Sequence, residues 1–399
     1  MANTLSNPAA NATKGYVDRR SKELLNRHHG TRSKRLRMAE QLLEASQYEL
    51  MLVKFKKHKL AMISFWLLVV MYLIAILADF VAPYSPLTRF GELVYAPPNT
   101  IHIRDEQGNF HAPFIYRRVS KLDEKTYIYS FMDDTSQRIP IKFFVKGEPY
   151  KLWGLIPGNL HLFGIESETP LFLLGSDKLG RDMFSRIIYA SRVSLFIGFG
   201  GVLISFLLGI LLGGISGYFG GIMDLLIQRL IEFIMSIPQI PLWMALSAAI
   251  PQEWSGIQKF LAITLILSLV GWTGLARVVR GKIISLREED YVTAARISSA
   301  SDMTIIFHHL LPGFTSYLIV HITNSIPGMI LGETTLSFLG LGITPPNVSW
   351  GSLLQQAQDV TVIGFYPWLL YPCAAIILAV MLFNFLGDGL RDAADPYSH

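Results

Sequence analysis

Long apolar runs alternate with polar stretches along most of this chain of 399 residues. A helix needs about 20 mainly apolar residues to cross the hydrocarbon core of a membrane. Runs near that length lie at about 60–81, 191–218, 230–250, 260–279, 314–333 and 368–386. Pro238 and Pro241 interrupt the regularity of the third run. The pattern predicts an all-α polytopic membrane protein with six transmembrane helices.

A polar stretch at 83–175 separates the first two apolar runs. Three of its segments, 127–132, 139–145 and 150–155, have the composition of strands and lie between turn residues. We therefore predict a β-rich insert outside the membrane, between the first and second transmembrane helices. The chain divides into an N-terminal segment 1–59, a first transmembrane helix 60–82, the insert 83–175, and a core 176–399 that carries the other five helices.

Composition and charge support a membrane protein and indicate its orientation. Of all residues 51% are hydrophobic and only 16% are charged, which is too apolar for a soluble domain. Residues 1–59 hold thirteen Lys or Arg against five acids, and cations mark cytoplasmic segments. More cations follow the fourth run, so we expect both termini in the cytoplasm and the insert outside. Four basic residues just after the insert oppose this orientation: Lys178, Arg181, Arg186 and Arg192.

The sequence contains no motif that would indicate an ATPase, a metalloprotease or another metal-binding protein. No GxxxxGK[ST] phosphate loop, HExxH motif or cluster of metal ligands occurs, so we expect no catalytic site, no metal and no cofactor in this chain. Cys373 is the single cysteine. Residues 1–30 are polar, so no cleavable signal peptide is expected. The basic segment is interpreted as a cytoplasmic anchor rather than a nucleic-acid site, and 33–59 either lies along membrane lipid or forms a solvated helix.

Small residues recur every four positions along the second run. Such a row forms one face of a helix and lets another helix approach closely in lipid. The row predicts helix packing and consists of Gly201, Ser205, Gly209, Gly213, Gly217 and Gly221.

A polar, helix-forming segment at 285–313 lies between the fourth and fifth runs. Asp290 and the acids before it suit a helix start, Ser301 or Asp302 can cap a second helix, and Pro312 stops that helix. This predicts a helix–turn–helix at the membrane surface; an ordinary connecting loop is the alternative. At the start of the second run, Asp177, Arg181 and Asp182 either form ion pairs or lie on a solvated helix.

The spacing of Ala294-Ala295, Ser299 and Leu311-Pro312 resembles the signature loop by which the membrane subunits of ABC importers dock on their ATPase. Two positions depart from that pattern, since Ser299 replaces a glycine and Thr293 replaces a glutamate. Further segments at 175–195, 217–224, 332–354 and 384–396 complete the resemblance. Together they resemble the C-type permease subunit of the bacterial dipeptide/oligopeptide/nickel ABC importers, over residues 55–85 and 172–397.

The resemblance implies a type I ABC importer permease fold and import of di- or oligopeptides across the inner membrane. It also implies partners: a second, related permease, two ATP-binding subunits that use ATP and Mg, and an extracytoplasmic solute-binding protein. Ala294 and Ala295 would enter a cleft on the ATPase because they are small, with polar contacts from Asp290 and Arg296. The expected docking residues are Asp290, Ala294, Ala295, Arg296, Ser299, Ser301, Asp302, Leu311 and Pro312.

Two other interpretations of the function remain open in addition to peptide import. The same machinery could carry oligosaccharides or another small solute, and a stand-alone secondary transporter is the competing class. Glu333 and Asn384 are candidate pathway or gate residues, because polar groups inside a membrane are often functional. A helix cap at Glu333 and a bond between helices at Asn384 are the structural alternatives.

Overall fold

The structure is a computed structural model that describes residues 47–105, 107–122 and 129–394. Most of the predicted N-terminal segment, 1–46, lies outside the described residues. So do the start of the predicted strand 127–132, at Tyr127 and Ile128, and the end of the last family-like segment, at Asp395 and Pro396.

The first transmembrane helix follows a short helix at its basic end. Helix α1 covers Gln47–Lys57 and α2 covers Lys59–Ile76. The His58 imidazole accepts a hydrogen bond from the Ala61 N–H at 3.1 Å and so caps α2. A one-turn helix, α3, covers Ala78–Val81. The 18 residues of α2 span about 27 Å at 1.5 Å per residue, which is close to the thickness of the hydrocarbon core.

The insert contains two antiparallel sheets, so the prediction of a β-rich insert between the first two transmembrane helices is confirmed. Strands β1, β2 and β3 form one sheet, and β4 and β5 form a hairpin. Two predicted strands were misplaced. The segment 139–145 crosses the junction of β3 and β4, and 150–155 runs into the turn at Trp153 and Gly154, which both have positive φ. Strands β1, β2 and β5 were not predicted. The bounds are His102–Arg104, Phe110–Leu122, Tyr129–Pro140, Lys142–Leu152 and Ile156–Gly164.

Two long helices form the centre of the core. Helix α4 covers Met183–Phe219, whose 37 residues span about 55 Å. It begins at Asp182, whose carboxylate accepts the Ser185 N–H at 2.7 Å. The fourth predicted span is helix α7, Gly256–Leu286, which starts at a capping box formed by Ser255 and Gln258.

The third predicted span, 230–250, is not a single helix. It is replaced by α5, Gly221–Ser236, and α6, Gln239–Ala248, which meet at an angle of 86°. The break has a physical cause: Pro238 lacks an N–H and forces Ile237 out of the helical conformation, to φ −92° and ψ 129°. Five described helices are long and apolar enough to cross a membrane, and the bent pair makes six if it counts as one span.

The remaining elements form the loop 285–313 and the part of the chain that follows it. A π-helical turn at Ile305–Leu310 and a 3₁₀ turn at Leu311–Phe314 continue directly into the fifth span, so Pro312 does not end the helical path as predicted. The fifth and sixth spans run further than predicted, by five and eight residues. The helices are α8 Asp290–Ile297, α9 Asp302–Thr304, α10 Thr315–Phe338, α11 Trp350–Leu354, α12 Val360–Phe365 and α13 Tyr371–Ala394.

The buried apolar residues form one large core and one smaller core. The large core joins α4 to α10 and α13, around fully buried residues such as Leu195, Ile330 and Leu369. The smaller core joins α4, α7 and the loop, and it includes Leu275, Val292 and Ile306. The loop 285–313 therefore packs on the membrane-spanning helices through a core of its own.

Candidate functional site

The loop 285–313 forms a short helix, a tight turn and a second helical segment. The turn lies at Ser299, which has φ +59°, and the Ala300 N–H bonds back to the Ala295 carbonyl at 3.1 Å. This is the left-handed conformation that glycine adopts freely at a helix C-terminus. Serine costs about 1 kcal/mol more there. The Ser301 hydroxyl accepts the Thr304 N–H at 3.2 Å and caps the second segment.

The two alanines of the loop lie in different environments. Ala294 is exposed, but Ala295 is only 8% exposed and packs in the smaller core with Val292. Only Ala294 presents its side chain to a partner in this structure, because helical spacing turns residues 292 and 295 inward together. That both alanines enter a partner's cleft stays a prediction. A bulky residue at Ala295 would disturb the loop's own packing.

The exposed surface of the loop carries large apolar side chains that the sequence reasoning missed. Ile297 is 80% exposed, and Tyr291, Met303 and Phe307 are also exposed. We call these four residues and Ala294 the docking surface. Large apolar side chains that stay exposed on one loop are candidates for a protein contact. The other predicted loop residues divide between the two sides: Asp290, Arg296, Ser299, Ser301, Asp302 and Pro312 are exposed, and Leu311 is buried.

Tyr218 links the loop to the end of α4. Its hydroxyl donates to the Asp302 carboxylate at 2.8 Å, and the Arg296 guanidinium lies 5.4 Å from the centre of its ring. A second contact joins Arg287 to the Gly217 carbonyl at 3.2 Å. These contacts would therefore pass a movement of the loop to the last turn of α4.

An ion pair ties α5 to α7 close to the same place. The Arg280 guanidinium makes two hydrogen bonds of 2.5 Å to the two oxygens of Asp224. The Ser216 hydroxyl donates to Asp224 as well. Such a two-point contact fixes orientation as well as distance. The sequence reasoning did not pair these residues, which lie 56 positions apart.

The glycine row of α4 faces α7 along its second half. A Cβ at Gly209 would meet Leu275, one at Gly213 would lie 2.5 Å from the Ala276 carbonyl oxygen, and one at Gly217 would lie 2.8 Å from that of Arg280. Further back, Gly201 and Ser205 both contact Ser268 through hydrogen bonds. Gly221 departs from the predicted row, because α4 ends at Phe219 and Gly221 begins α5 with φ +55°.

A cavity of about 200 Å³ lies among α4, α6, α7 and α10. Apolar residues such as Trp243 and Met329 line much of it. Four polar side chains also reach it, namely Ser205, Gln239, His321 and Ser325. A mainly apolar cavity with a few polar groups is typical of small-molecule sites, so it is the best candidate for part of a solute pathway.

The two predicted gate residues lie apart from this cavity. Glu333 is fully buried and accepts hydrogen bonds from the Ser194 hydroxyl at 3.1 Å and the Ser337 hydroxyl at 2.6 Å. Ser194 also accepts the Trp350 N–H, so Glu333 joins α4, α10 and α11 as a packing residue. Asn384 is exposed on α13. Neither residue lines the cavity described above.

Buried charges surround the start of α4. The Asp177 carboxylate pairs with Arg181 at 2.7 Å and with Arg186. Burial would raise the pKa of Asp177, but the two guanidinium groups outweigh it and hold this pKa below its usual value. Asp182 caps α4 instead of joining the pairs, and burial raises its pKa to about 7. The predicted Asp177–Arg181 pair is present, whereas Arg186 was missed.

Within the described ranges, no three His, Cys, Asp or Glu side chains lie close enough to hold a metal ion.

Comparison with known proteins identifies the family. Residues 209–397 match the family described as the inner membrane component of binding-protein-dependent transport systems. Residues 46–98 match the N-terminal transmembrane domain of oligopeptide transport permease C. Among solved structures, the chain matches the methionine ABC transporter MetNI with a TM-score of 0.42 and 18% identity, over 53% of this chain and 97% of that chain.

Curated relatives extend the match over most of the chain. The dipeptide transport system permease protein DppC of Lactococcus lactis is 31% identical over 86% of this chain and 88% of its own length. DppC of Bacillus subtilis is 38% identical over 56% and 68%. The glutathione transport system permease protein GsiD of Pectobacterium atrosepticum is 40% identical over 58% and 74%. The chain therefore belongs to the family of binding-protein-dependent ABC importer permeases, in the group of oligopeptide permease C.

Proposed function

We propose that this permease carries di- and oligopeptides into the cell across the inner membrane, driven by separate ATP-binding subunits. The names of the relatives support the substrate class, since they are dipeptide, oligopeptide and glutathione permeases. The observation that carries the mechanism is the docking surface on a loop anchored to α4 and α7. ATP-driven closure of two ATPases would press on this surface, and Tyr218 would pass the movement to α4.

The other partners follow from the same arrangement. The 200 Å³ cavity offers half of a pathway, which a second, related permease would complete. A solute-binding protein outside the cell would deliver the peptide. The chain itself would hydrolyse no ATP, and ATP with Mg would be held by the ATPases. The positive-inside rule supports cytoplasmic termini and a cytoplasmic loop.

The substitution Ile297→Asp in the full-length chain tests this mechanism. A charge in the centre of an apolar contact should cost about 2 kcal/mol or more of docking energy, which is roughly thirtyfold in affinity. We expect the variant to reach the membrane but to lose its ATPase subunits on purification, together with peptide-stimulated ATP hydrolysis.

Val360→Asp is the matched control, because Val360 has the same 80% exposure but lies on α12, outside the loop. Equal retention of the ATPases by the two variants would reject the docking surface. Purification of the unaltered chain with no ATPase, under several mild detergents, would reject the importer function itself.

A further inference from the structure

The β4–β5 hairpin ends beside the first transmembrane helix. The Trp153 indole N–H at its tip donates to the carbonyl of Ile76, the last residue of α2, at 3.1 Å. Further along the hairpin, the His161 ring contacts the Ala82 carbonyl at 2.6 Å. The tip is therefore the part of the hairpin that comes nearest to the membrane-spanning segment.

The end of α2 marks the boundary of the hydrocarbon core. Because α2 is only just long enough to span the core, its two ends must lie near the two membrane surfaces. Trp153 reaches this boundary. Its ring lies 6.1 Å from that of Phe196 on α4, which in turn lies 5.7 Å from Tyr72, one helical turn before Ile76. Tryptophan is enriched at this depth.

Two residues that follow Trp153 are apolar and exposed. Leu155 is 82% exposed and Ile156 is 62% exposed. Beneath the tip, a cavity of about 410 Å³ opens between the hairpin and helices α4 and α7, lined by apolar residues that include Trp153, Phe196, Ile257 and Phe260. The surface of the hairpin tip is therefore continuous with the surfaces of two membrane-spanning helices.

Arg192, the cation at this site, already has partners. Its guanidinium donates to the carbonyls of Ala75 and Ile76 and to the Asp79 carboxylate, at 2.6 to 2.9 Å, and lies 4.9 Å from the Trp153 ring centre. These contacts satisfy the end of α2 and hold Trp153 in place. The exposed side chains of the turn itself, Trp153, Leu155 and Ile156, are apolar, which suits lipid chains better than a charged or polar partner.

We propose that the tip of the β4–β5 hairpin, Trp153, Leu155 and Ile156, inserts into the lipid leaflet on the insert side of the membrane. The insert is then attached to the bilayer at this point, in addition to its two connections in the chain. The inference requires only that α2 and α4 cross the membrane, so it is independent of the transported solute.

A fluorescent label at the tip tests this directly. Cys373 is the single cysteine, so Cys373→Ser gives a background for Leu155→Cys and Ile156→Cys. The exposed Ser167, just beyond β5 at the other end of the hairpin, provides the control Ser167→Cys. Each full-length variant, purified with its accompanying subunits, is labelled with an environment-sensitive dye. It is then placed in nanodiscs of phosphatidylethanolamine and phosphatidylglycerol.

Two quenchers then distinguish the outcomes. Lipids with a nitroxide near the top of the acyl chain should quench the labels at 155 and 156 several-fold more than the label at 167, while iodide in water should show the opposite order. Strong iodide quenching at the tip would overturn the proposal in favour of a solvated hairpin. Protection from both quenchers would overturn it in favour of a protein partner. Equal lipid quenching at all three sites would also overturn it.

Discussion

The two ends of α4 are held by contacts of different kinds. At the insert-side end, Asp177, Arg181 and Arg186 form a buried ion cluster. The Trp368 indole N–H donates to the Ser176 carbonyl beside it at 2.9 Å. At the loop-side end, the contacts of Tyr218 with Asp302 and Arg296 are partly exposed. A buried charge that loses its partner costs several kcal/mol of stability, because no water can take the partner's place. An exposed charge that loses its partner is hydrated instead, at little cost.

This difference indicates which end of α4 can move. Separating the buried cluster would leave unpaired charges away from water, so the insert-side end should stay rigid throughout a transport cycle. The loop-side end can exchange its polar contacts for water at small cost. A helix that is fixed at one end and adjustable at the other is suited to transmit movement of the loop, and the three variants below test each end.

The largest effect is expected from Arg186→Ala. It leaves Asp177 buried with one cation fewer, and breaking a buried pair costs about 3–5 kcal/mol of the free energy of unfolding. Chemical denaturation in detergent would measure the loss. Lys142→Ala is the control, because Lys142 pairs with Glu166 at 2.5 Å in an exposed position, where the expected loss is about 0–1 kcal/mol. Similar losses in both variants would mean that burial does not strengthen the Asp177 cluster, and the argument for a rigid insert-side end would fail.

The second effect depends on pH and is expected from Asp182→Asn. Burial raises the pKa of Asp182 to about 7 from 3.8, so between these values the unfolded chain releases a proton that the folded chain keeps. Stability should therefore fall as the pH rises through this window, by on the order of 1 kcal/mol per pH unit, and then level off. Asparagine does not titrate and can still accept the Ser185 N–H.

The difference in unfolding midpoint between wild type and Asp182→Asn isolates this group, because the other titrating residues are common to both proteins. The difference should change between pH 4 and pH 7, and the wild type should become more stable relative to Asp182→Asn as the pH falls. Parallel curves over this range would mean that Asp182 is solvated and charged, and that the insert-side end is less well sealed than its geometry indicates.

The sequence predicts features of this fold that depend on neighbouring residues along the chain. Apolar runs located the spans, and the spacing of Ala294, Ser299 and Pro312 located the loop and its turn. The sequence indicates the break at Pro238, but it does not predict the angle of 86° between the two helices, because a proline permits a bend without setting its size.

Features that depend on distant partners were not predicted. The burial of Ala295 requires the core around Ile306 and Leu275, and the Asp224–Arg280 pair joins different helices. The hydrogen bonds of Glu333 to Ser194 and Ser337 were also not predicted, because these partners cannot be recognised from spacing alone. The role of Glu333 in the pathway or gate stays a prediction. Sequence patterns show which residues share a face, but the fold decides what lies opposite that face.

The smallest effect on stability is expected from Tyr218→Phe, which tests the adjustable end. The variant keeps the ring beside Arg296 and loses the 2.8 Å hydrogen bond to Asp302, worth about 1 kcal/mol. If this bond carries loop movement to α4, peptide-stimulated ATP hydrolysis by the assembled importer should fall about fivefold while unfolding changes little. Asp302→Asn keeps an acceptor for this hydrogen bond and should retain most of the stimulation.

Tyr371→Phe is the control, because Tyr371 is an exposed tyrosine that begins α13, and it should leave ATP hydrolysis unchanged. Full stimulation in Tyr218→Phe would mean that another contact carries the movement of the loop to α4. The Asp224–Arg280 pair would then be the next contact to break.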